Sequence, residues 1–158
     1  LRNRAAFNRE IAALKAMRES AAFKPMVDQG VPAPDLLALA ENVARGRWAF
    51  ANRRYGEAAD LYREAAELER KIPYMEPPYW YYPVHQSLGA ALFRAGKYEE
   101  AREAFVTALA HSPNNGWVLY GLAASEKALG RPAQAAATHA ALARAWVGNR
   151  GWLRMDRL

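Results

Sequence analysis

A spacing of 34 residues recurs in the second half of this chain and leaves few architectures open. Residues 82–115 carry Leu88-Gly89 followed by Leu92, then Gly96-Lys97-Tyr98, Ala101, Phe105, Ala108-Leu109 and Pro113. Val84, Leu88, Ala91 and Leu92 fall at three- and four-residue steps, the period of one helical face. Gly96 can end that helix, because glycine enters the left-handed conformation without a steric penalty. Tyr98, Ala101, Phe105, Ala108 and Leu109 form a second amphipathic face, which Pro113-Asn114-Asn115-Gly116 stops. The segment is therefore expected to be a helical hairpin. Shifted by 34 residues the pattern returns as Leu122-Ala123, Gly130, Ala135 and Leu142-Ala143. Small residues are expected where the paired helices approach closely, Gly89 facing Ala101 and Ala123 facing Ala135.

The run Leu88-Gly89-x-x-Leu92, Ala101-x-x-x-Phe105, Pro113 resembles the tetratricopeptide (TPR) pattern, whose period is the same. His85 stands where that pattern usually has tryptophan, and Leu92 where it often has tyrosine. In residues 116–149 Glu126 replaces the aromatic, His139 the phenylalanine and Val147 the proline, as suits a terminal repeat. An earlier pair over about 35–70 is similar, with Gly46-Arg47-Trp48-Ala49, Tyr55-Gly56-Glu57-Ala58, Tyr62 and Ala65. There Arg53 takes a usual glycine position and Arg45 an aliphatic one. From Ala58 to Ala101 the spacing is 43, nine more than one repeat, and the excess lies in residues 71–82. The resemblance implies an all-α fold: an α-α superhelix of about three hairpins, spanning 35–147.

Both ends are expected to cover that array, since a solenoid otherwise leaves an apolar face bare at each end. Phe7, Ile11 and Leu14, extended by Ala21, make an apolar stripe ending near Pro25, which is expected to be a packing helix over the first pair. Val31-Pro32-Ala33-Pro34 is a rigid connector closing an N-terminal segment of 1–34, and Asp35 suits an N-cap. Trp146, Trp152, Leu153 and Leu158 are expected to cover the last hairpin, with 148–158 as its capping segment. At 158 residues, about half of them apolar, the chain can bury a substantial core. It has no cysteine, which excludes disulfides and thiolate chemistry. Its longest charge-free run, 104–125, is broken by the turn at Pro113, so no membrane insertion is expected. Leu1 in place of Met reads as a fragment or a processed product of a larger protein, soluble and of unreadable compartment.

The first helices of successive TPR hairpins line a concave groove, and that resemblance picks out candidate binding residues. Val43, Arg47 and Phe50 come from the first hairpin, Gln86, Ala90, Phe93 and Arg94 from the second, and Trp117, Tyr120, Ala124 and Lys127 from the third. Aromatic anchors beside cations suit an extended or helical peptide with apolar side chains and an acidic group. The lysine and asparagine clamp of chaperone-binding members is absent, since Val43, Arg47, Ser87 and Trp117 stand at its positions.

Residues 72–83 hold five aromatics and four prolines and cannot form a helix interior. The run resembles a Glu-Pro-Pro-x-Trp-Tyr-Tyr-Pro segment of uncharacterised bacterial TPR proteins. It either presents Tyr79, Trp80 and Tyr81 to a ligand, with Glu76 and His85 as polar contacts, or buries its rings to lengthen the core. Among the histidines, His139 is expected to be a hydrogen-bonded core residue, His111 exposed, and His85 next to the aromatic loop.

No phosphate-binding loop, nucleophile elbow or metal-spaced histidine pair occurs in the sequence, so neither an enzyme nor a cofactor is expected. The expected function is a protein-interaction scaffold that binds a protein or acidic peptide through its groove, with self-association as a further option. The net charge of +6 leaves nucleic-acid binding as the alternative, although the arginines scatter over several helices. A small-ligand pocket under the aromatic loop is the third possibility.

Overall fold

The computed structural model describes residues 3–158, and those residues form helices joined by turns and by a longer non-helical connection over 70–83. Eight α-helices follow in order among them: α1 Arg4–Arg18, α2 Lys24–Asp28, α3 Ala33–Ala51, α4 Tyr55–Glu69, α5 Val84–Arg94, α6 Tyr98–His111, α7 Gly116–Ala128 and α8 Pro132–Ala145. They pack as the hairpins α3/α4, α5/α6 and α7/α8. The chain divides into two compact units, one ending at Tyr81 and the other running Tyr82–Leu158. None of the described helices is long and apolar enough to cross a membrane.

In the first unit α1 lies against α3. Phe7 stacks on Trp48 with ring centroids 4.4 Å apart, and Ile11 is buried. Glu41 is buried on α3 between two guanidinium groups, Arg45 at 2.8 Å and Arg18 at 3.3 Å. Such placement offsets the cost of withdrawing its carboxylate from water. Two local expectations give way. The apolar stripe stops with α1 at Arg18, and Ala21 falls in an exposed 3-10 turn, Ala21–Phe23. Helix α3 begins at Ala33, so Asp35 lies within its first turn and is not the N-cap. Proline suits the start of a helix because it lacks a donor that would be orphaned there, and Asp35 opposes the positive end of the helix dipole.

The hairpin turns share one mechanism. After α5, Gly96 has φ of +80°, its N–H donates to the Phe93 carbonyl, and the Lys97 N–H donates to the Leu92 carbonyl, both at 3.0 Å. Gly130 repeats this after α7, with φ of +69°. These paired bonds satisfy carbonyls that the helix end would otherwise orphan. After α3 the same two bonds form around Arg53, whose φ is +61°. A side chain in that conformation costs about 1 kcal/mol that glycine avoids. Arg53→Gly is therefore expected to stabilise the first unit by roughly 0.5–1 kcal/mol, raising its thermal midpoint by a few degrees. No rise in a circular-dichroism melt would contradict this account.

In the second unit α6 packs on α7 and α5 also touches α7. Phe105, from α6, is fully buried. A Cβ on Gly89 would stand 2.7 Å from its ring, and one on Gly121 would stand 2.2 Å away. The ring is thus held in a slot between α5 and α7. The atoms nearest a Cβ on Gly89 belong to Phe105, so the missing side chain makes room for that ring. Asn115 caps α7, its side-chain oxygen accepting from the N–H groups of Trp117 and Val118. Glu126, at a usual aromatic position, is buried and accepts a 2.7 Å hydrogen bond from the Thr138 hydroxyl.

The segment after α8 departs from the expected cover. Trp146 packs edge-on to Trp117, and Leu153 is half-buried, but Trp152 is largely exposed. Leu158 is buried, and the 3-10 turn Met155–Arg157 packs on α5. The Ser87 hydroxyl donates to the Leu158 carbonyl at 3.3 Å.

Candidate functional site

The residues singled out in the sequence fall into three environments. In the first unit Arg47 is exposed on α3, and Phe50 is half-buried, meeting Tyr55 edge-on at 5.2 Å. Val43, expected beside them on the groove, is buried. In the aromatic segment Tyr79 and Trp80 are half-buried, whereas Tyr81 is 79% exposed. The Trp80 and Tyr81 rings lie 5.5 Å apart. Glu76 is exposed and accepts a hydrogen bond from the Tyr74 hydroxyl. That bond is the main cause holding the Tyr74 phenol above its usual range. The segment therefore divides its rings between partial burial and solvent.

In the second unit Gln86 is buried and its carbonyl accepts from the Asn115 amide at 3.1 Å. The bond ties the start of α5 to the cap of α7, so this side chain is engaged within the unit. Ala90 is also buried. His85 is half-buried, as is Phe93, whose ring tilts against Tyr98 at 5.2 Å. Arg94 and Lys127 are exposed, and Trp117 and Tyr120 are half-buried.

Tyr120 leads to a site that the sequence did not disclose. It lines a half-open pocket of about 270 Å³ with His139, Leu142, Ala143, Arg150 and Leu153. His139 is exposed here, contrary to the expected core position. Its counterpart 34 residues earlier, Phe105, is roofed by Gly121 of the next hairpin. Among the described residues no further hairpin follows α8, so the same helical position faces outward. Leu142, Ala143 and Leu153 give the pocket apolar walls. Tyr120, His139 and Arg150 add a phenol, an imidazole and a guanidinium. The lining holds no carboxylate. An arginine fork beside apolar walls can take an anionic group joined to an apolar one.

The part of the chain that carries it is rich in cations. Residues 105–158 contain six basic residues and two acids, Glu126 and Asp156. Glu126 is buried, and Asp156 meets Arg154 through two bonds of 2.8 and 3.0 Å. The Arg154 hydrogen bond, first among the causes, holds the Asp156 carboxyl below its usual range. Lys127, Arg144, Arg150 and Arg157 are exposed.

Comparison with known proteins is consistent with this architecture. A family model described as a tetratricopeptide repeat matches residues 92–145. Among solved structures, a point mutant of MamA is similar in fold, with a TM-score of 0.59 and 23% sequence identity. That match covers 90% of this chain and 96% of the other. No curated protein sequence matched. The repeat match and the structural likeness both support the fold, an array of packed helical hairpins.

Proposed function

We propose that the second unit binds a peptide segment of a partner protein in which an acidic group stands next to a bulky apolar side chain. The observation that carries this reading is the Tyr120–His139–Arg150 pocket, where one cation meets apolar walls with no carboxylate in the lining. The excess of exposed cations in residues 105–158 would draw an acidic segment toward this unit and speed the encounter. Arg47, Phe50, Phe93, Arg94, Trp117 and Lys127 remain candidates for flanking contacts within their own units.

The test is a set of fluorescein-labelled peptides carrying Glu-Leu or Asp-Phe pairs, each with an amide-substituted twin, titrated by fluorescence polarisation. Acidic peptides are expected to bind about tenfold more tightly than their Gln or Asn twins, the effect of one charge-assisted contact. Arg150→Glu should remove that preference. Equal binding of acidic and amide peptides, or no binding by any of them, would refute the proposal. A labelled oligonucleotide titrated at two salt concentrations separates the nucleic-acid alternative, which demands a steep loss of affinity with salt.

A further inference from the structure

The segment after α8 is ordered without an α-helix of its own, and two of its side chains account for that. Met155 and Leu158 are 8% and 5% exposed, while Arg154, Asp156 and Arg157 between and beside them face solvent. In a 3-10 turn, residues three apart lie on one side. The turn Met155–Arg157 lies against α5, and Met155 within it and Leu158 just after it are both buried. Ser87 anchors the contact through its bond to the Leu158 carbonyl and lies 3.2 Å from the Tyr82 hydroxyl.

Other large side chains after α8 are exposed. Val147, just after α8, is 96% exposed, and Trp152 is 55% exposed. Under Arg150 and Leu153 the pocket stays open. A permanent core element packs its large apolar side chains and leaves few voids. Here Trp152 stands largely in water, and Arg150 and Leu153 line a half-open pocket.

We propose that the α5 face bearing Ser87 is a binding site for a short peptide with two bulky apolar side chains three residues apart, and that residues 149–158 are its intramolecular occupant, displaced by a partner presenting that pattern. This goes beyond the acidic-peptide pocket: it concerns another helix and recognises apolar spacing, not charge. The two sites are nonetheless linked, because Arg150 and Leu153 belong to the displaced segment. A peptide seated on α5 dismantles one wall of the pocket, so the two ligands exclude one another.

The probe is a labelled peptide of residues 149–158, titrated into the full chain and into Met155→Asp. In the parent chain the tethered copy competes at a high effective concentration and holds the probe to weak binding. Met155→Asp weakens that copy and leaves α5 intact, so the probe should bind at least about tenfold more tightly. A probe carrying the same Met-to-Asp change should not bind. Hydrogen exchange on the unaltered chain supplies a second reading, with amides of 150–158 expected to exchange at least about tenfold faster than those of α5 and α7. The proposal is overturned if Met155→Asp keeps its helical spectrum without gaining affinity. It is overturned equally if that variant unfolds, or if 150–158 is protected as strongly as the hairpins, because the segment is then fixed core. Each of those results leaves the response of acidic peptides to Arg150→Glu as it was, so the two proposals fail separately.

Discussion

Phe105→Ala is expected to destabilise the second unit by about 3–5 kcal/mol, the largest effect of any single substitution considered for it. The ring is fully buried and fills a slot whose two walls are glycines on different helices, Gly89 on α5 and Gly121 on α7. Removing it forfeits the transfer energy of a phenyl group and leaves a cavity that rigid backbone walls cannot collapse to fill. The reverse change, Gly121→Ala, is instructive because two effects oppose. Alanine is favoured over glycine inside a helix by about 1 kcal/mol. Its Cβ, however, would stand 2.2 Å from a ring atom of Phe105. Overpacking of this kind costs roughly 1–3 kcal/mol and more when the neighbour cannot move. Gly121→Ala should therefore lose about 1–2 kcal/mol net. The sharper result is the double variant: with the ring gone, the alanine methyl enters the vacated space and recovers its helical advantage. Phe105→Ala combined with Gly121→Ala should be more stable than the sum of the two losses by at least about 1 kcal/mol. Urea titration followed by circular dichroism measures all three, and strict additivity would show that ring and glycine do not share the slot.

The hairpins were legible in the sequence because their signals are local. Apolar period, helix-ending Gly96 and Gly130, and the alanines at 101 and 135 all act within one or two turns of chain. What fills the gaps was less legible. The lack of a side chain at Gly89 announces a close approach without saying that an aromatic ring fills the space. The ring comes from α6, one turn past Ala101, and its other wall, Gly121, belongs to the next hairpin. His139 was misplaced for the same reason. It occupies the helical position of Phe105, but burial there depends on a roof that the following repeat supplies. Ala123 agrees with this. It replaces the glycine found at 46 and 89, and it can carry a Cβ because His139 has turned outward. The pocket at Tyr120 and the docking of Met155 and Leu158 both require the segment after α8 to fold back over α7 and α5. No periodicity marks that path, since two short 3-10 turns leave almost no pattern.

Gly46→Ala should destabilise the first unit by about 1–2 kcal/mol, although glycine to alanine in mid-helix is ordinarily a gain. Gly46 lies on α3 where Gly89 lies on α5, and Tyr62 of α4 takes the place of Phe105. A Cβ at position 46 would stand 2.6–2.9 Å from three atoms of the Tyr62 ring. That ring is only 2% exposed and cannot swing into solvent without leaving its own cavity. A larger side chain compounds the clash, so Gly46→Leu should cost more than about 3 kcal/mol. Gly56 provides the control in the same unit. It sits in the first turn of α4 with no heavy atom within 4 Å of an added Cβ, and its backbone is already helical. Gly56→Ala should therefore stabilise by about 0.5 kcal/mol through the unfolded chain alone. The same chemical change thus takes opposite signs ten residues apart, and only contact with Tyr62 separates the two sites. If urea midpoints move in the same direction for both variants, the Tyr62 ring does not rest on Gly46, and close packing of α3 against α4 through a missing side chain must be abandoned.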